Sequence, residues 1–210
     1  MSFNGFTQHD FDTFSIEGLD GRMEAIRERI QPKFKALGDS LVHELSLLSG
    51  TEMFLHIAKH ARRKVNAPVD TWMAVCPNKR GYKQVPHFQV GLFDDRVFIW
   101  LALIYELPNK SNIATAYMND IDRLQTELPS DFVLSFDHMK KEATVLSDLD
   151  RKGWQEALVR FRDVKKAELL IGRNLAAADP VLQNPDKLEQ LIKETFEKLM
   201  PLYMQAVDTK

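Results

Sequence analysis

Two runs of basic residues carry the clearest chemical signal in this chain: Lys59-His60-Ala61-Arg62-Arg63-Lys64 and Lys79-Arg80-Gly81-Tyr82-Lys83. Guanidinium groups grip phosphate and carboxylate by paired hydrogen bonds, and ammonium groups hold them as compact charges. Tyr82 sets an aromatic ring within the second run, a surface on which a base can stack. Lys59, His60, Arg62, Arg63, Lys79, Arg80, Tyr82, Lys83 and the nearby His87 are therefore the candidate anion-binding set. The competing reading is a solvated rim, because lysines also keep sheet edges from pairing with other chains. Geometry adds a constraint. If Thr71–Cys76 is one strand, the two runs leave its opposite ends, on the order of 20 Å apart at ~3.3 Å per residue. They form one patch only if a loop folds back along the sheet.

Other chemistry-bearing residues are weaker signals. His56 and His60 share a helix face if the segment is helical and can then bind a metal. On a strand they stand ~13 Å apart, too far for one ion. Cys76 can act as a nucleophile if His87 approaches it, but a thiol between Val75 and Pro77 in a strand reads as an inert core group. Asp137-His138 with Lys140 can serve as an acid–base set, or form a turn in which the aspartate bonds its own backbone. Glu106 follows an apolar strand with no partner visible in the sequence. Gly91 and Gly172 read as bulges or close contacts within strands rather than phosphate loops. No catalytic residue, metal ligand or cofactor is assigned.

The elements that must position these residues centre on Trp72–Glu106. Val97–Tyr105 is apolar at every position and rich in β-branched and aromatic residues, which predicts a strand buried on both faces. Asp94-Asp95 is a polar break of hairpin length that turns His87–Phe93 back onto it. Thr71–Cys76 and the segment ending at Ala58 are further strands. Before them, Leu19 to Leu48 carries a helical stripe, read as two short helices or one kinked at Pro32, while Phe11 and Phe14 suit an edge strand or tether. After Pro108 a helix capped by Ser111 is predicted to run to Leu128. Strands follow at Asp131–Phe136, Thr144–Leu146 and Ala167–Leu175. A helix begins near Asp148 or Asp150, and a last one is capped by Asn184, opened by Pro185 and bent at Pro201. Strand-like segments bunched between helical blocks argue α+β, an antiparallel sheet with helices mainly on one face.

Composition bounds the function classes. At 210 residues with 44% hydrophobic and 28% charged content, the chain has the make-up of a soluble domain able to bury its own core. One cysteine rules out an internal disulfide framework, and the first residues lack a secretory signal. The longest apolar run is about half the ~20 residues a membrane helix needs. A cytoplasmic protein that does not span a membrane is expected. Net charge is −2, but Lys59–Lys83 holds seven basic residues against one acid, leaving the remainder distinctly acidic.

Several motifs in order resemble the YktB-like family of bacterial proteins of unknown function. They are Asp-Phe-Asp-Thr-Phe-Ser-Ile-Glu-Gly-Leu (10–19), Phe-Leu-His-Ile-Ala-Lys-His-Ala-Arg-Arg-Lys-Val-Asn (54–66), Lys-Arg-Gly-Tyr-Lys (79–83), Pro-His-Phe-Gln-Val-Gly-Leu (86–92), Ala-Leu-Ile-Tyr-Glu (102–106) and Lys-Lys-Ala-Glu-Leu-Leu (165–170). The likeness implies one α+β domain over residues 1–210, with a curved antiparallel sheet of the TATA-binding-protein-like class. It implies no activity. The residues themselves favour a cytoplasmic binding module for an anionic small molecule or nucleic acid. The alternatives are an enzyme with a cleft between sheet and C-terminal helix, using His87, Glu106 or His138, and a protein–protein adaptor. Oligomeric state is not encoded in any of these features.

Overall fold

The computed structural model describes residues 3–209. Phe11 and Phe14 lie in helical turns rather than an edge strand. The backbone N–H of Thr7 donates to Asp10 Oδ2 at 2.7 Å, the capping pattern that opens α1 (Gln8–Phe11). Both rings are buried.

The stripe from Leu19 to Leu48 forms α2 (Leu19–Ala25) and α3 (Gln31–Ser49), joined without a break by a π-helical turn at Ile26–Ile30. Pro32 has no N–H and its ring crowds the carbonyl four residues back. The wider turn just before it, closed by Gln31 N–H on the Ile26 carbonyl, accommodates it. Gly50, in the left-handed conformation at φ 66°, ends α3.

Four strands follow in sequence: β1 (Phe54–Ile57), β2 (Thr71–Cys76), β3 (His87–Leu92) and β4 (Arg96–Leu103). The predicted hairpin is present, with Phe93 N–H on the Arg96 carbonyl at 3.0 Å across Asp94-Asp95. Next come α4 (Lys110–Asn119) and α5 (Ile121–Glu127), which interrupt the expected single helix at Asp120. Ser111 lies inside α4 and donates to the Arg162 carbonyl instead of capping the helix. The chain ends with β5 (Val133–Ser135), β6 (Thr144–Val145), α6 (Arg151–Asp163), β7 (Leu169–Ala176) and α7 (Pro185–Asp208). Asp150 caps α6 through Gly153 N–H and Asn184 caps α7 through Lys187 N–H. α7 runs on through Pro201.

The seven strands make one wholly antiparallel sheet in the order β1-β2-β3-β4-β7-β5-β6. Successive side chains on a strand point to opposite faces, and here the two faces differ in kind. One presents Met73, Val75, Phe88, Val90, Ile99, Leu101, Leu169 and Ile171 to the helices and forms the large core. Phe88 packs between Phe196 and Tyr203 of α7, at ring separations of 4.8 and 4.9 Å. The other face carries Trp72, Ala74, Phe98, Trp100, Ala102 and Leu170, and loops cover it in place of helices. Among the described residues, no helix is long and apolar enough to cross a membrane.

Candidate functional site

The loop-covered face collects the polar groups. On β3, His87 and Gln89 alternate with Phe88 and Val90, so the strand that buries Phe88 against α7 turns its imidazole and amide the other way. By register this face also takes His56, opposite Ala74. The space beside these groups comes from small residues. A Cβ on Gly91 would stand 2.2 Å from the Phe98 ring, so glycine lets that ring lie flat on Trp100 at 4.2 Å.

Four of the chain's six histidines gather here in two aromatic stacks. Tyr82 stands between His56 (5.6 Å) and His87 (5.0 Å), and Trp72 stands between His60 (5.6 Å) and His138 (5.4 Å). Trp72 Nε1–H donates to Tyr82 Oη at 3.2 Å and ties the stacks together. His87 is fully buried. Its Nδ1–H faces the Val85 carbonyl at 2.8 Å, leaving Nε2 to accept from Gln89 Nε2 at 2.8 Å. Burial pushes His87 down to about 4, against the pull of the Val85 bond. Burial, aided by the Arg63 charge, brings His60 down to about 4 as well. His60 also adopts φ 49°, a left-handed backbone that costs a residue with a side chain on the order of 1 kcal/mol or more. Its ring on Trp72 and its contact with Thr71 Oγ1 at 3.2 Å hold it there.

The two basic runs meet in part. Lys59, His60, Arg62, Arg63 and Lys83 line one recess of about 300 Å³ whose walls include Trp72 and Tyr82. The long loop does fold back, and Tyr82 and Lys83 travel with it. Lys79 and Arg80 do not reach this recess. Lys79 Nζ lies over the Phe54 ring at 5.8 Å, and Arg80 borders a neighbouring recess with Lys83 and Glu106. Lys83 pairs with Glu106 at 3.1 Å, whereas no ion pair among the described residues engages Lys59, Arg62, Arg63, Lys79 or Arg80.

Behind Trp72 lies an acidic group that no sequence pattern announces. Glu168, immediately before β7, is 2% exposed and accepts from both the backbone N–H and Nδ1 of His138 at 2.8 and 2.7 Å. Its other oxygen, Oε1, has no hydrogen-bond partner. Asp70, immediately before β2, is fully buried with neither oxygen partnered. Burial pushes Asp70 up to about 6, against the opposing charges of His138 and Arg63. For His138 burial works downward, yet the bond and charge of Glu168 outweigh it and hold the imidazole above its ordinary value. Asp137 forms the predicted turn, accepting from Met139 N–H at 2.9 Å.

One alternative is overturned, and two readings that the sequence already disfavoured are set aside. No cleft lies between the sheet and α7, because Phe88, Phe196 and Tyr203 fill that space; His87 and His138 stand on the opposite face. His56 and His60 do not converge, since their Nε2 atoms go to the Asn78 carbonyl and Thr71 Oγ1 respectively. Cys76 is no nucleophile beside His87. Its Sγ donates to the Asn78 and Gly81 carbonyls at 3.4 and 3.7 Å, and burial pushes the thiol up.

Helices on one face of an antiparallel sheet, with a histidine-rich polar recess under loops on the other, define an α+β protein with a sheet-face pocket. The family model described as a domain of unknown function (DUF1054) matches residues 6–203, and the chain belongs to that family. A UPF0637 protein of Oceanobacillus iheyensis is 59% identical over 207 residues, covering 99% of this chain and 98% of its own. Another from Exiguobacterium sibiricum is 58% identical over 198 residues, at 94% and 96% coverage. One from Listeria welshimeri is 47% identical over 210 residues, at 99% and 100%. The YktB-like resemblance thus holds along nearly the whole chain, and none of these descriptions names an activity.

Proposed function

We propose that this protein is a cytoplasmic binding module, folded as one domain, that holds a small anionic ligand in the recess between its two basic loops. The observation that carries the reading is the convergence of Lys59, Arg62, Arg63 and Lys83 around one recess walled by Trp72 and Tyr82, with three of the four cations in no ion pair among the described residues. A recess of about 300 Å³ sits at the lower end of the range for small-molecule sites. Unpaired guanidinium groups at its mouth suit phosphate or carboxylate, and the two rings suit a planar body attached to that group. Nucleic acid fits less well, because binding to a strand calls for a basic track, whereas Arg80 borders a separate recess and Lys79 lies over Phe54.

The test is a calorimetric titration with inorganic pyrophosphate and with a nucleoside monophosphate. Each guanidinium–anion hydrogen bond contributes about 1.5–3 kcal/mol, so Arg62→Ala combined with Arg63→Ala is expected to weaken binding at least tenfold. Lys79→Ala combined with Arg80→Ala is expected to cost much less. Absence of binding by either probe, or a greater loss in the Lys79/Arg80 variant, removes the proposal. Tight retention of a single-stranded oligonucleotide alongside no binding of the small probes would favour nucleic acid.

A further inference from the structure

Asp137 and His138 from one loop and Glu168 from the start of β7 meet behind Trp72. One donor atom each from Asp137, His138 and Glu168 lie within 4.8 Å of one another. Asp70, buried just before β2, is a further acid whose charge acts on His138. We propose that Asp137, His138 and Glu168 bind one divalent transition-metal ion. This goes beyond the anion-binding reading and does not depend on it, because none of the three residues lines the basic recess.

The argument starts from unmet bonding capacity. Buried carboxylates in folded proteins are paired, hydrogen-bonded or metal-bound, since an isolated buried charge is very costly. Here Glu168 Oε1 is enclosed with no hydrogen-bond partner, and the enclosed Asp70 carboxyl is met by no side-chain donor. The cations nearest the two enclosed acids are committed elsewhere. Lys110, the lysine on which the Glu168 charge acts, gives its ammonium to the carbonyls of Val164, Lys165 and Ala167 at 2.7, 3.2 and 2.9 Å. Arg63, whose charge reaches Asp70, bonds the Asn66 carbonyl and faces the recess. Glu168 therefore has one imidazole as its ion-pair partner, and Asp137 pairs only loosely, at 3.9 Å, with the exposed Lys140.

The donor set selects the class of ion. One imidazole with carboxylates and no thiolate suits Zn²⁺ or Mn²⁺, while an all-oxygen set would favour Mg²⁺ or Ca²⁺. Metal–ligand bonds of about 2.0–2.2 Å in tetrahedral geometry set ligand atoms roughly 3.3 Å apart. His138 Nδ1 and Glu168 Oε2 stand 2.7 Å apart and Asp137 offers an atom within 4.8 Å of both residues, so small side-chain shifts bring the three to that spacing. Binding replaces the proton that bridges these two atoms, and that proton leaves to solvent. Asp137 sits at the rim and supplies the way in, being half-buried while Asp70 and Glu168 are enclosed.

The test uses full-length protein stripped with EDTA, then titrated with ZnCl₂ and, separately, MnCl₂ in a chloride buffer free of phosphate. One equivalent is expected to bind and raise the melting temperature. Glu168→Gln and His138→Ala should each weaken binding at least tenfold, while His56→Ala leaves it unchanged. Should the two buried-site variants unfold, the rim variant Asp137→Asn is expected to keep its fold and weaken binding severalfold. No saturable binding by the parent protein overturns the proposal. So does undiminished binding in Asp137→Asn and Glu168→Gln, or loss of binding only in His56→Ala. Because no anion is present, failure here leaves the basic recess untouched, and failure with pyrophosphate leaves this result untouched.

Discussion

At His87 an enclosed ring donates to one carbonyl and accepts from one amide, and that arrangement suits only the neutral imidazole. The consequence for pH has a definite sign. Above pH 6.5 the ring is neutral in both folded and unfolded chains and contributes nothing. Between 6.5 and about 4 the unfolded chain takes up a proton that the folded one refuses, so stability falls as pH falls. At about 1.4 kcal/mol per unit, the loss reaches about 3 kcal/mol. His87→Gln is expected to lose this component. Urea denaturation of both proteins at pH 7 and pH 4.5 should show the parent losing more stability, and equal losses would mean the ring accepts a proton in place. At this scale Arg62, Arg63, Tyr82 and Lys83 were legible because charge clusters and aromatics advertise themselves by type. Asp70 and Glu168 were not. Each is a lone acid beside a strand, and its meaning depends on enclosure, which no local pattern records.

Two prolines shape the elements that frame the sheet. Pro32 is absorbed by the π-helical turn ahead of it, so α2 and α3 stay continuous where the sequence alone allowed a kink. Pro201 lies within α7 on an exposed position, and the Glu197 carbonyl there lacks its usual donor. The next residues are nonetheless well anchored. Leu202 and Tyr203 are buried, and the Tyr117 hydroxyl donates to the Leu202 carbonyl at 2.7 Å. Pro201→Ala restores the missing bond and removes the ring clash, so it should stabilise the protein by about 1–3 kcal/mol. A measured loss of stability would show that the proline bends α7 to bring Leu202 to Tyr117. The cap residues Asp150 and Asn184 were readable from sequence, because a cap is a three-residue relationship. The division of α4 from α5 at Asp120 was not, since the apolar stripe continues across it through Tyr117, Ile121 and Leu124.

Over the whole molecule, the net charge of −2 and the local field at the recess point in opposite directions. If overall charge governed anion binding, added salt would screen repulsion and strengthen it. If the unpaired Lys59, Arg62 and Arg63 govern it, salt weakens it. With a screening length near 10 Å at 0.1 M, pyrophosphate affinity is expected to fall about three- to tenfold between 0.05 and 0.5 M NaCl. Affinity that rises with salt would rule out the recess as the controlling field.

The alternation of apolar residues, the caps and the two-residue hairpin break are relations among near neighbours. They determined by themselves that this chain forms an antiparallel α+β structure with a doubly buried central strand. Only the tertiary structure decided that β7 enters between β4 and β5, and that the loop after β2 returns far enough for Tyr82 to meet Trp72. Those two long-range events bring His138 and Glu168 together and carry Lys83 to the recess of Arg62 and Arg63. The reason is physical: strand order and loop return follow from the pairing and burial of distant segments, which compete across the whole chain and leave no mark in local spacing.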